Sequence, residues 1–229
     1  DHLGAGLRGE IYNGADDNAG AVGILLEIAR LLKLNSVKPK RTIVFAACTG
    51  EEMGLVGSRY YTEHPLFPLN KTVLYLNMDM VGSGSRKLTT GGMWYFSELF
   101  SIIKPELRED VKKMLRYRYD YRGSDHAAFL RKNIKTLSLR TGETLTRDLD
   151  DEHPEYHRPG DTIEIMSPDI LQFAASYIYQ VLTAVANSSE NMLDPALTTE
   201  YIHKSASVVD LHSDTIGRLL DVEDLSRDN

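Results

Sequence analysis

The feature that most constrains this chain is an almost unbroken apolar run, Thr42-Ile43-Val44-Phe45-Ala46-Ala47-Cys48, which ends just before two carboxylates, Glu51 and Glu52. A run without polar alternation predicts a strand buried on both faces, as in a sheet held between two layers of helices. A second run, Thr72-Val73-Leu74-Tyr75-Leu76, leads into Asp79 and the turn-rich stretch Gly82-Ser83-Gly84-Ser85, so an acid again follows a strand end. Ile134 to Leu139 reads as a further strand. Around these strands the period changes. Val22, Leu25, Leu26, Ala29 and Leu32 recur at helical spacing between Ala19 and Lys33, with Asn18 placed to cap the helix. Met93 to about Leu115 is mostly helical in pattern, and Ala127 to Leu130 forms a short apolar helix after Ser124-Asp125. Pro168 opens a strong amphipathic helix whose apolar side carries Ile170, Leu171, Ala174, Ile178, Val181, Leu182 and Val185. Strands alternating with helices imply an α/β sandwich, in which ligands collect beyond the carboxyl ends of the strands. The acids lie there.

At 229 residues and 42% hydrophobic, the chain is long enough for one ordinary core and a short appendage. The net charge of -7 argues against nucleic acid as a partner, because a phosphate-binding surface needs a basic excess. No apolar run approaches the roughly 20 residues of a membrane-spanning helix, and no basic-then-apolar secretory signal opens the sequence. The single cysteine, Cys48, excludes an internal disulfide framework and a cysteine metal cluster, and its apolar neighbours favour a buried thiol over a nucleophile.

The remaining polar clusters supply chemistry. Asn13-Gly14-Ala15-Asp16-Asp17-Asn18 precedes the first helix, Asn77-Met78-Asp79-Met80 follows the second run, and Tyr156-His157-Arg158-Pro159-Gly160-Asp161-Thr162 closes a polar stretch from Thr141 that is long for a loop. A zinc-like ion takes imidazole and carboxylate ligands where thiolates are absent, and two ions about 3.5 to 4 Å apart can share one bridging carboxylate. Such a site needs a bridging acid, two further acids, two histidines and a free carboxylate as proton shuttle. The sequence displays five of those six.

These motifs, in this order, resemble the co-catalytic di-zinc aminopeptidases, the group that includes bacterial leucyl aminopeptidases, aminopeptidase Y and, more distantly, glutaminyl cyclases. The segments that carry the likeness are Asn13 to Gly20, Thr49 to Leu55, Asn77 to Met80, Ser124 to Phe129 and Tyr156 to Thr162, and it extends from Asp1 to about Ala186. It implies a three-layer sandwich with a mixed, mostly parallel central sheet flanked by helices. By position it implies that Asp17 bridges two zinc ions, that Glu52 and His157 complete one of them, and that Asp79 serves the other. Glu51 is then the general base of a peptide hydrolase that releases N-terminal residues with a metal-activated water. Tyr156 is expected to donate to the oxyanion, and Asp161 to orient a ligand or its loop. Peptides are the implied substrates, and a secreted or periplasmic location follows from the same likeness.

One departure stands out. The family's pattern is His-x-Asp-His-x-Gly, whereas this chain opens Asp1-His2-Leu3-Gly4. The first histidine ligand is expected two residues before Asp1, Asp1 is the acid that holds it, and His2 is the following residue and not a ligand. On this reading residues 1–189 are an N-terminally truncated catalytic domain with one tightly held metal and a weak or empty second position. His153, four residues before His157, has a metal-pair spacing, but Pro154 argues against a regular helix there. Residues 190–229 leave the pattern. Within them Ser207 to Thr215 reads as a strand ending in His212-x-Asp214, and it resembles the opening of the membrane (renal) dipeptidase family. A linker leading into a truncated second peptidase domain is the favoured reading, beside a permuted donor of the missing His-x-Asp and a disordered terminus. Two rival functions share the scaffold: a mono-zinc glutaminyl cyclase and a non-catalytic binding module.

Overall fold

The computed structural model describes residues 2–36, 38–92, 96–118, 123–142 and 153–189. Asp1, His212 and Asp214 lie outside the described residues, as does the whole segment 190–229.

At the centre is a four-stranded sheet of β3 (Tyr75–Met78), β4 (Leu88–Gly91), β5 (Leu115–Arg118) and β6 (Thr136–Thr141), in the order β3-β6-β4-β5. β3 pairs with β6 and β4 with β5 in parallel, while β4 and β6 run antiparallel, so the sheet is mixed and mostly parallel. β4 is buried at every position and β6 at four of six, as expected for strands covered on both faces. A two-stranded hairpin, β1 (Gly4–Ala5) with β2 (Ile11–Tyr12), stands apart near the amino end.

Helices α1 (Gly20–Leu34), α3 (Ser97–Glu106) and α6 (Pro168–Asn187) cover one face. Ile24, Ile28 and Leu32 of α1 share a core with Leu99 and Ile103 of α3 and Phe173, Tyr177, Ile178 and Val181 of α6, closed beneath by Leu137 and Leu139. Burying each such side chain contributes about 1.5–3 kcal/mol before conformational entropy is set against it. The short helix α4 (Glu109–Met114) adds Val111 to the same core. On the opposite face lie α2 (Val56–Glu63) and α5 (His126–Leu130), where Phe129 stacks on Tyr75 with ring centroids 3.7 Å apart. The result is the expected three-layer sandwich. α6 begins as its sequence requires, with Pro168 in the first turn and Ser167 Oγ accepting from the Ile170 amide at 3.4 Å. No described helix is long and apolar enough to cross a membrane.

Three expectations are corrected. The face that α1 buries is Ala21, Ile24, Ile28 and Leu32, while Val22 and Leu26 of the expected apolar face are exposed. The run from Thr42 to Cys48 forms no strand ladder, and Val44 and Phe45 are 43% and 39% exposed. A cavity of about 760 Å³ is lined by both this run and residues 71–79, together with Asp17, Glu51 and Glu52. Apolar content reported a tendency to be buried but named no partner. Asn18 does not cap α1 either. Its amide donates across the fold to the Met78 carbonyl at 2.9 Å, which fixes the loop before α1 to the end of β3.

Candidate metal centre

Four segments deliver the site, and each is shaped by a local requirement. The first is the turn Ala15–Ala19, where the Asp17-Asn18 peptide is cis. Its backbone is held by Asp161, whose carboxylate accepts from the amides of Asp16 at 2.7 Å and Asp17 at 3.1 Å. The second is the turn after Cys48. Gly50 sits at φ +67, and a Cβ on Gly57 would fall 2.6 Å from the Thr49 amide nitrogen, so both positions favour glycine for backbone reasons. Amides of Gly54 and Leu55 then close onto the Glu51 carbonyl, and the turn presents Glu51 and Glu52 together before α2.

The third segment is the end of β3, where Asp79 follows the last strand residue and donates its amide to Leu139. The fourth is a compact series of turns from His153 to Thr162, tied by the Tyr156 amide to the His153 carbonyl and the Arg158 amide to the Glu155 carbonyl. Within it His157 adopts φ 56, a left-handed conformation that costs a residue with a Cβ about 1–3 kcal/mol and recurs at functional sites.

The side chains of three segments meet at one point. His157 Nε2 lies 2.7 Å from Glu52 Oε1 and 3.4 Å from Asp17 Oδ2. His2, which sequence reasoning kept out of the ligand set, also faces this point, with Nδ1 3.9 Å from Glu52 Oε1 and 4.0 Å from Asp17 Oδ2. Tyr156 stacks on the His157 ring at a centroid distance of 3.7 Å.

The electrostatics are those of crowded acids. Burial pushes Glu51 up to about 9, and the like charges of Asp79, Glu52, Asp125 and Asp17 add to it. Burial and Asp17 push Asp79 up to about 8 against the opposing hydrogen bond from Ser124. Asp17 is raised too, chiefly by burial. For Glu52 burial is outweighed by the hydrogen bond and charge of His157, which hold it below its ordinary value. His157 answers in kind: burial opposes its charge, yet the bonds to Asp17 and Glu52 raise it to about 9. Burial also raises the Tyr156 phenol, which therefore stays a proton donor at neutral pH. The Cys48 thiol is likewise raised by burial, to about 11.

A divalent cation fits this donor set. Asp17 Oδ2 is buried without a hydrogen bond of good geometry, an expensive state for a carboxylate oxygen that has no cation to meet. Two ligand atoms on one tetrahedral zinc stand about 3.3 Å apart, from bond lengths near 2.0–2.1 Å. The 3.4 Å between His157 Nε2 and Asp17 Oδ2 matches that span, while the 2.7 Å between His157 Nε2 and Glu52 Oε1 is a hydrogen bond that a shared ion would replace with a longer separation.

Sequence reasoning missed how Asp16 and Asp17 divide. They are adjacent and chemically identical, but Asp16 turns away from the site and accepts from the Gly82 amide at 2.7 Å, from Ser83 Oγ at 2.5 Å and from His153 Nδ1 at 2.9 Å. His153, which carried only a spacing in the sequence, is 3% exposed and belongs to this buried network. Neighbouring side chains in a tight turn project to opposite sides, but only the position in the motif says which of the two acids faces the site. Ser124 to His126 lie at the start of α5, where Ser124 bonds both Asn77 and Asp79.

Comparison with known proteins gives a consistent picture. A family model described as Peptidase family M28 matches residues 1–182. Aminopeptidase YwaD of Bacillus subtilis is 30% identical over 173 residues, covering 72% of this chain and 36% of its own length. The solved structure of BSAP, a zinc aminopeptidase from Bacillus subtilis, superposes with a TM-score of 0.67 at 28% identity, over 79% of this chain and 44% of that one. A glutaminyl cyclase from Porphyromonas gingivalis shares the fold, with a TM-score of 0.57 at 18% identity over 75% of this chain and 63% of that one. The chain thus spans about a third of the length of the curated relative it matches.

Proposed function

The chain belongs to peptidase family M28, and from that premise we propose that it is the metal-binding part of a zinc-dependent aminopeptidase that removes N-terminal residues from peptides. The observation that carries the reading is the convergence of Asp17 Oδ2, Glu52 Oε1 and His157 Nε2 on one point beside Glu51. Asp17, Glu52 and His157 are the residues that would hold one ion, and Asp17 with Asp79 would serve a second, weaker position. Zinc, when bound there, supplies Lewis acidity for the scissile carbonyl and lowers the pKa of water.

Glu51 acts as the proton carrier. Its carboxylate takes a proton from the attacking water as the new C–O bond forms, and returns it to the nitrogen as the C–N bond breaks. A group pushed up to about 9 by burial and neighbouring acids holds a proton readily, and a cation beside those acids brings it back toward neutrality. Tyr156, kept protonated beside His157, donates to the developing oxyanion. Asp161 holds the turn that presents Asp17. A secreted or periplasmic setting agrees with the family likeness.

Glu51→Gln tests the proposal. The variant retains Zn²⁺ and loses about 10²- to 10⁴-fold in turnover of aminoacyl p-nitroanilides, the ordinary worth of a proton-transfer group. Unchanged turnover removes Glu51 from the mechanism. Product mass separates the cyclase reading, since a cyclase releases ammonia from an N-terminal glutamine whereas an aminopeptidase adds water across a peptide bond.

A further inference from the structure

We propose that His153 is a positioning residue for the metal centre: a second histidine, behind the ligands, that fixes the Asp16-Asp17 turn against the His157 turn. The inference rests on the reading of Asp17, Glu52 and His157 as metal ligands. Those ligands come from turns that are distant in sequence, and a weak bolt between the turns would leave the donor atoms free to drift apart by more than a metal bond tolerates.

The bolt is visible. Both ring nitrogens of His153 are engaged inside the protein: Nδ1 lies 2.9 Å from Asp16 Oδ2 and 3.0 Å from Ser83 Oγ, and Nε2 lies 3.0 Å from the Thr141 carbonyl. The Nε2 contact therefore ties the ring to the end of β6, while the Nδ1 contact ties it to the residue that precedes the bridging acid. Thr141 strengthens the same corner by donating its hydroxyl to the Ser83 carbonyl at 2.6 Å. Along the chain, the His153 carbonyl accepts from the Tyr156 amide at 3.0 Å, so the imidazole anchors the turn on which Tyr156 and His157 ride.

Asp161 completes the arrangement from the other end of that turn, since it binds the backbone amides of Asp16 and Asp17 while His153 binds the Asp16 side chain. The turn 153–162 thus grips the Asp16-Asp17 turn at two points. Both ring nitrogens of His153 are taken by Asp16, Ser83 and Thr141, which separates its role from ligation.

Replacement by amides distinguishes positioning from general support. The amide of asparagine falls where Nδ1 sits and that of glutamine where Nε2 sits. His153→Asn keeps a donor for Asp16, and His153→Gln keeps only the contact to Thr141. His153→Asn gives up the contact to Thr141 and His153→Gln those to Asp16 and Ser83, so chelated samples of both unfold at lowered temperatures. Co²⁺ titration of the full chain, followed by the visible absorption of the bound ion, then separates them. His153→Asn binds Co²⁺ like the wild type, whereas His153→Gln and His153→Ala lose about 10- to 100-fold in affinity, the usual cost of removing a partner from behind a metal ligand. Equal affinity in all four proteins, or equal losses in the asparagine and glutamine variants, overturns the positioning role. Failure of the wild type itself to bind Co²⁺ overturns the metal reading as well.

Discussion

Asp16 and Asp17 are neighbours on one turn, both buried, yet the protein treats them oppositely. Asp16 is given an amide, a hydroxyl and an imidazole, and these outweigh its burial and hold its carboxyl below the usual range. Asp17 is given less than it needs: burial raises it, Glu52 repels it, and one of its oxygens lacks a sound hydrogen bond. The difference teaches how to tell a structural acid from one kept for a cation. A satisfied carboxylate stabilises the fold by itself, and an unsatisfied one stabilises it only with a partner that arrives from solution.

Substitutions at the two positions should therefore diverge. Asp16→Ala leaves His153, Ser83 and the Gly82 amide without their shared acceptor in a site 2% exposed, and should destabilise the chain by about 3–5 kcal/mol in chemical denaturation, with or without metal. A loss no larger than that of a surface substitution would break the comparison.

The next effect concerns pH in the metal-free protein. Glu51, Asp79 and His157 all bind protons more tightly folded than unfolded, so the stability they contribute is full below their ordinary values and is lost as pH rises through the folded ones. For Glu51 that window runs from about 4.5 to about 9. Chelated protein should melt at progressively lower temperature across it, and added Zn²⁺ should flatten the decline. A chelated protein whose melting temperature climbs with pH over this window would contradict the crowding.

The smallest effect sharpens the contrast most. Asp17→Asn removes a charge that the metal-free site does not satisfy, so thermal unfolding of the chelated variant at neutral pH should match or slightly exceed the wild type, while Zn²⁺ no longer stabilises it. Destabilisation as large as that of Asp16→Ala would place Asp17 among the structural acids.

Much of this architecture is legible in the residues. The periodicity of α6 follows from buried positions three and four apart, and Pro168 with Ser167 marks where it starts; α1 forms where helical spacing places it, but it buries Ala21, Ile24, Ile28 and Leu32 and leaves Val22 and Leu26 of the expected face exposed. The acids at 51, 52 and 79 follow apolar runs, and the sheet does carry Asp79 at the end of β3. Other parts are not legible, for physical reasons. Leu88–Gly91 and Leu115–Arg118 are too short and too polar to announce strands, and become strands because β6 and each other supply their hydrogen bonds. The run at 42–48 carries every sign of a strand except a partner. Within the site, residue types pointed to Asp17, Glu52 and His157, but the turning of Asp16 away from the centre and the burial of His153 depend on chain segments that meet only after folding.

The central claim is that Asp17, Glu52 and His157 hold a common cation, and anomalous scattering at the zinc edge from crystals grown with Zn²⁺ tests it directly. The account predicts a peak about 2.0–2.2 Å from Asp17 Oδ2, Glu52 Oε1 and His157 Nε2 together. Zinc bound elsewhere on the chain, with those three side chains still joined only to one another, would contradict it.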